Sequence, residues 1–316
     1  MDMLSRVADS LYWMSRYLER AEHIARVLDV YLSEQLEEYT PDDDDQRWRT
    51  VIESIGLQVP DDLTEENVGL WMAFDLSNQS SIVACVMSAR DNARQVREQI
   101  SSEMWEHLNR LFHRVRAAST TDDWSADQHE FLTEVKEGAH LFQGITDSTM
   151  NHGEGWHFIQ LGRFMERAVS VSELVKVYFR DHIPEDNEEH HEGSNLLKSC
   201  TAFEAYCKVY TADFKPLRIS EFLLLNPEFP HSVCFAIGQI ELSLKALPQS
   251  ADRRVGDRAL RLVGKLKALL SFSQIDEIMA IGLPVFLAEI DRQCSHIHVA
   301  LHQIYIDYPV ESAIQF

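Results

Sequence analysis

Two short stretches of this chain carry the same charged side chains in the same order. "MSRYLERAEH" holds Arg16, Glu19 and Arg20, and "LGRFMERAVS" holds Arg163, Glu166 and Arg167. Each sets one arginine three residues before a glutamate and a second directly after it. On a helix, Arg16 and Glu19 would lie one turn apart on one face, with Arg20 on the neighbouring face. Guanidinium forks suit carboxylate and phosphate oxygens, and a glutamate held between them stays ionised. Four arginines and two glutamates meeting in an apolar bundle would form a polar pocket for an anion. Glu19 or Glu166 could then serve as a general base. A carboxylate beside arginines is a weak base, which leaves Glu204 as the better candidate for that role. The competing reading is structural, with inter-helix ion pairs fixing helix register. Such pairs add little net stability, because desolvation offsets their attraction.

The elements that must position these groups are helices. Leu4, Val7, Leu11, Met14, Leu18, Ala21, Ala25, Leu28 and Leu32 form one apolar stripe. Trp13, Tyr17, Ile24, Val27 and Tyr31 form a second, so this helix is covered on most of its circumference. The narrow strip left over holds Ser5, Tyr12, Arg16, Glu19, His23 and Arg26, with Arg20 at its edge. Tyr12 and His23 therefore join the arginines as candidate binding residues.

The likeness of the two stretches extends to Ala21 with Ala168 and Tyr31 with Tyr178. A weaker echo pairs Ser81 with Ser232 at nearly the same spacing. The expectation is an all-α fold, a large helical bundle with two internally related halves about a pseudo-twofold axis. The halves would span residues 1–125 and 140–316 of a single domain, 1–316, each covering the other's doubly apolar helix. Further helices are expected over 45–56, 65–74, 80–101, 102–118, 127–149, 155–182, 194–210, 219–225, 231–247, 251–271 and 286–308. Loops are expected at "PDDDD" (41–45), "STTDDWSAD" (119–127) and the acidic, histidine-rich segment 182–194, read as a flexible connection.

The totals narrow the function. The chain has 316 residues and a net charge of −22. A surface that acidic repels phosphate backbones and anionic membranes, so neither nucleic acid nor membrane is an expected partner. The N-terminus lacks a secretory pattern and no apolar run is long enough to span a bilayer. Five scattered cysteines fit reduced thiols and a cytoplasmic protein. Arg90, Arg94 and Arg97, with Asn92 and Glu98, form a basic helical face. It reads either as a solvated surface or as a further source of anion-binding side chains, Arg90, Asn92 and Arg94 among them. The "NPEFP" turn reads as packing. Metal patterns are poor: Glu137/His140, Glu188/His191 and the run Cys294, His298, His302 each lack a full ligand set, and no metal is expected. The glycine-rich loops of common nucleotide-binding enzymes are absent.

The opening "MLSRVADSLYWMSRYLERAEHIARVLDV" resembles the bacterial alpha-E domain family, as do "SARDNARQVREQISSEMWEHLNRL" and "AFEAYCKVY…FLLLNPEFPHSV". The likeness runs from residue 3 to about 240 and is loose beyond 250. The family carries an arginine before the Ser-Val of its "FP-x-SV" block, where this chain has His231. The resemblance implies an all-helical bacterial protein associated with a circularly permuted ATP-grasp ligase and a transglutaminase-like protein. It implies ATP-dependent amide-bond formation on a small anionic or peptide substrate. ATP and Mg²⁺ would then belong to the ligase, and this chain would carry no cofactor. A catalytic or substrate-binding pocket and a non-catalytic acidic scaffold or substrate carrier both fit this setting.

Overall fold

A computed structural model describes residues 5–35, 44–120, 124–180, 190–211, 213–247 and 253–306. Among these residues there are helices and no strand. The first half contains α1 (Ser5–Gln35), α2 (Asp44–Ser54), α3 (Glu65–Ala73), α4 (Ile82–Gln95), α5 (Ser102–Ala118) and α6 (Trp124–Thr149). Then come α7 (Glu154–Tyr178), α8 (His190–Ser199), α9 (Phe203–Tyr210), α10 (Pro216–Leu225) and α11 (Val233–Ala246). The last are α12 (Arg253–Phe272), α13 (Ile275–Ile281) and α14 (Leu283–Leu301), with a π-helical segment at His302–Ile306.

Helix α1 runs 31 residues without a glycine or proline, the two residues that most weaken a helix interior. Its two apolar stripes are both used. It packs chiefly on α7, α4 and α6, while α7 also carries α11 and α14. One hydrophobic cluster extends from Ala8 to Leu301 and draws on both ends of the chain. Trp48, Tyr206 and Phe222 are among its largest fully buried side chains. Each contributes roughly 1.5–3 kcal/mol of burial. The covering helices start alike: the Ser81 hydroxyl accepts from Ala84 N at the head of α4, and the Ser232 hydroxyl accepts from Phe235 N at the head of α11. Each satisfies a backbone N–H that the first helical turn leaves unpaired.

Several expected boundaries are corrected. The 80–101 helix ends at Gln95, so Arg97 and Glu98 leave the helical face of Arg90. The 194–210 helix is two helices, broken at Thr201, whose φ of 57° no helix accommodates. The expected loops are partly helical, since α2 begins at Asp44, α6 at Trp124 and α8 at His190. Residues 41–43, 121–123 and 182–189 of those segments, and Glu188 with them, lie outside the described residues. Helix α7 ends at Tyr178, and α10 begins early at Pro216, whose fixed φ suits a first turn. Helix α13 was not expected. It is only seven residues long and is set by a capping box between Gln274 and Glu277. The five cysteines are free thiols.

Candidate functional site

The site begins where α1 crosses α7. A β-carbon added at Gly162 would lie 2.2 Å from the Tyr12 carbonyl oxygen and 3.3 Å from Ser15 Cβ. Only glycine lets the two backbones approach this closely. Ser15 and Gly162 immediately precede Arg16 and Arg163, so the contact sets the two arginine-bearing turns against each other.

The arginines then reach across the crossing. Arg16 Nε donates to Glu166 Oε2 at 2.7 Å, and Arg20 Nε to Glu166 Oε1 at 2.5 Å. In the other direction Arg167 Nε donates to Glu19 Oε1 at 2.6 Å. Arg163 does not match Arg16: its Nε stands 3.9 Å from Glu19 Oε2 and has no hydrogen-bond partner. Gln143 of α6 donates to Glu19 Oε2 instead, at 3.1 Å. Glu19, Glu166 and Arg167 are each 4% exposed, so these are core charges.

Charge states follow from this geometry. Burial alone would raise Glu166, but Arg16 and Arg20 outweigh it and bring its carboxyl down to about 2. Glu166 is therefore a fixed anion and a poor base near neutral pH. Arg163 is pushed down to about 10, because burial and the neighbouring Arg167 oppose its charge more than Glu19 supports it.

The polar strip of α1 continues in both directions. Towards the C-terminus of α1, Glu22 is buried, accepts from Arg26 and lies 3.6 Å from His140 Nε2. Burial opposes its charge, yet His140 and Arg26 hold it well below the usual carboxylate range. Burial pushes His23 down to about 4. His231 is likewise held well below its ordinary value by burial and by Arg167. Arg167 also donates from Nη1 to the Pro230 carbonyl at 3.1 Å, so the "NPEFP" turn serves this cluster as well as packing. Glu19, Glu22, His23, Arg167 and His231 line a cavity of about 10 Å³, and Glu19, Gln143 and Arg163 touch a second of the same size. Either is at most water-sized. The strip then opens into a cleft of about 540 Å³ beside Arg26, Asp29, Lys136 and Lys198. Towards the N-terminus, the buried Tyr12 hydroxyl accepts from Arg16 Nη1 at 3.4 Å and lies 2.9 Å from His298 Nδ1. Burial, then Arg16, pushes His298 down to about 4, so its ring is neutral beside the Tyr12 hydroxyl.

The structure thus brings together Tyr12, Arg16, Glu19, Arg20, His23, Arg163, Glu166 and Arg167. It places four other candidates elsewhere. Arg90 donates to Asn109 at 2.8 Å and lies over the Phe112 ring, and Asn92 bonds the Ser88 carbonyl. Arg94 is solvated, 67% exposed, so this face supplies no arginine to the cluster. Glu204 is exposed on the rim of the 540 Å³ cleft, not enclosed by the aromatic residues around it in sequence. Among the described residues no three His, Cys, Asp or Glu side chains are grouped to hold a metal ion. No described helix is long and apolar enough to cross a membrane. Glu22 and Gln143 escaped the sequence reading, and His140 entered it only as half of a metal pattern with Glu137. Of Glu22 and Gln143, only Glu22 left a signal there, its spacing of four from Arg26.

Glu19–Arg20 and Glu166–Arg167, crossed at the centre of the bundle, are two copies of a glutamate–arginine pair. The sequence profile of the Alpha-E family, described as "a predicted alpha-helical domain with a conserved ER motif", matches residues 3–306. The chain belongs to the Alpha-E family. Similar proteins, each named only as uncharacterised, occur in Mycobacterium bovis and in two strains of Mycobacterium tuberculosis. Each is 24% identical over 320 residues, covering 95% of this chain but 36% of the relative. The chain therefore spans little more than a third of these relatives' length. No solved structure matches it.

Proposed function

We propose that this Alpha-E protein is a binding component of a bacterial, cytoplasmic, ATP-dependent amide-bond-forming system. It holds a small anionic carboxylate, acyl or peptide substrate for a circularly permuted ATP-grasp ligase, alongside a transglutaminase-like protein. ATP and Mg²⁺ reside in the ligase. Two related helical halves brace each other through their ER motifs and hold the binding surface in shape. The observation that carries this reading is the exchange of arginines across the α1–α7 crossing. It occupies both glutamates and leaves only water-sized space between them. A bracing and binding role follows more directly from such an arrangement than proton transfer does.

One observation favours a catalytic second reading. Arg163 keeps an unpaired, buried Nε close to Glu19, as an anion-stabilising group would. Glu19→Gln separates the two. Reactions containing the ATP-grasp protein, ATP, Mg²⁺ and candidate amino acids are followed by mass spectrometry with no addition, with this chain, and with the folded variant. The binding reading expects a product that requires the chain and persists with the variant. Loss of product with the folded variant would establish the catalytic reading. Product formed equally well without the chain would overturn both.

A further inference from the structure

The cleft of about 540 Å³ beyond Arg26 is of ligand size, unlike the cavities at the ER motifs. Its wall combines both signs of charge: Arg26, Lys136 and Lys198 against Asp29, Glu34 and Glu204. Most of these charges are already matched. Arg26 holds Glu22, Lys136 donates to Asp29 at 2.6 Å, and Arg47 pairs with Glu34. Lys198 and Glu204 remain. Both are exposed; Lys198 Nζ lies over the Phe203 ring at 5.9 Å, and among the described residues neither forms an ion pair. Between them in sequence stands Thr201, which also lines the cleft.

Thr201 is the unusual residue of this wall. Its φ of 57° is a conformation that β-branched residues adopt only when their surroundings impose it. Its Oγ1 is shielded from solvent and has no hydrogen-bond partner. Asn195 adds an amide, while Val30 and Phe203 add apolar surface.

We infer that this cleft recognises a short peptide or amino acid carrying both a free carboxylate and a free ammonium group. The carboxylate takes Lys198, beside the turn that Thr201 forms, the ammonium takes Glu204, and Val30 and Phe203 receive a small apolar side chain. The inference rests on the substrate-binding reading above and gives that substrate a location and a chemical class. The matched pairs Lys136–Asp29 and Arg47–Glu34 keep the rest of the wall neutral, so both ends of a zwitterion are needed.

The test is calorimetric titration of the isolated chain with trialanine, N-acetyl-trialanine and trialanine amide at 0.15 M salt. Unblocked trialanine binds, and blocking either end weakens it at least about tenfold, the loss of one charge-assisted hydrogen bond. Lys198→Ala weakens trialanine by a similar factor and abolishes the preference for a free carboxylate. Glu204→Ala abolishes the preference for a free ammonium. Both residues are exposed, so the fold is expected to survive, and circular dichroism checks it. No binding of trialanine to the folded chain, equal binding of the blocked peptides, or unchanged binding in both variants would overturn the inference. Binding without any requirement for this chain in product formation would refute the ligase partnership and leave the cleft assignment standing. A product that requires the chain, without trialanine binding, would do the reverse.

Discussion

The two ER motifs have the same sequence pattern and end in different environments. Glu166 receives two arginines at short range and is tied down at both oxygens. Glu19 receives one, shares its second oxygen with the neutral Gln143, and leaves Arg163 standing off at 3.9 Å. The Glu166 end is a closed lock. The Glu19 end is looser and continues through Glu22, His23 and His231 towards the cleft. A buried ion pair of good geometry is costly to break, whereas a poorly paired buried charge is a standing liability. Equal sequence patterns therefore do not imply equal energies, and the open end is where a function has room to act.

Four changes would break or sharpen this contrast. Glu166→Ala strands Arg16 and Arg20 in the core and is expected to cost about 3–5 kcal/mol, read by urea unfolding. Gly162→Ala forces a methyl group into the Tyr12 carbonyl and pushes α1 from α7. It should cost about 3 kcal/mol and disturb both ends alike. The third is a pH effect at the looser end. His23 is neutral when folded, pushed down to about 4, while the unfolded chain takes up its proton near pH 6.5. Its contribution is thus whole above pH 6.5 and lost as pH falls towards 4. His23→Gln should shrink the stability difference between pH 7 and pH 5 by about 1–2 kcal/mol. Glu166 acts lower: its contribution is present above about pH 4.5 and lost as pH falls towards 2. The smallest effect belongs to Arg163→Met, which removes an ill-matched charge and should change stability by less than about 1 kcal/mol. A large loss there would show that Arg163 is better satisfied than its geometry indicates.

Much of this arrangement was legible in the sequence. The two stripes of α1 foretold a helix buried on most sides, and the strip between them held Tyr12, Arg16, Glu19, His23 and Arg26 in order. The repeated motif pointed to arginines and glutamates that could meet. Periodicity could not say that Arg16, Arg20 and Arg167 would each serve the other helix's glutamate, because that depends on the crossing at Ser15 and Gly162. Both residues are small, and both stand just before an arginine, but only the packed backbones show why. The break at Thr201 was hidden for a related reason. A threonine carries no sequence signal for a left-handed conformation, so α8 and α9 read as one helix. Glu204 has aromatic neighbours in sequence, yet of these only Tyr206 is buried, Phe203 lines the cleft beside it, and the carboxylate stays exposed. The basic face of Arg90 and Arg94 was ambiguous from composition, and the structure leaves it as surface and local packing.

The central claim is that both arginines of α1 hold Glu166, whereas Glu19 is held by Arg167 and Gln143 and not by Arg163. Paired double-mutant cycles test it most directly, one with Arg16→Met and Glu166→Gln, the other with Arg163→Met and Glu19→Gln. Urea unfolding should give a coupling of about 2–3 kcal/mol for Arg16 with Glu166 and about 0.5 kcal/mol or less for Arg163 with Glu19. Equal couplings, or a stronger one at Glu19, would contradict the account.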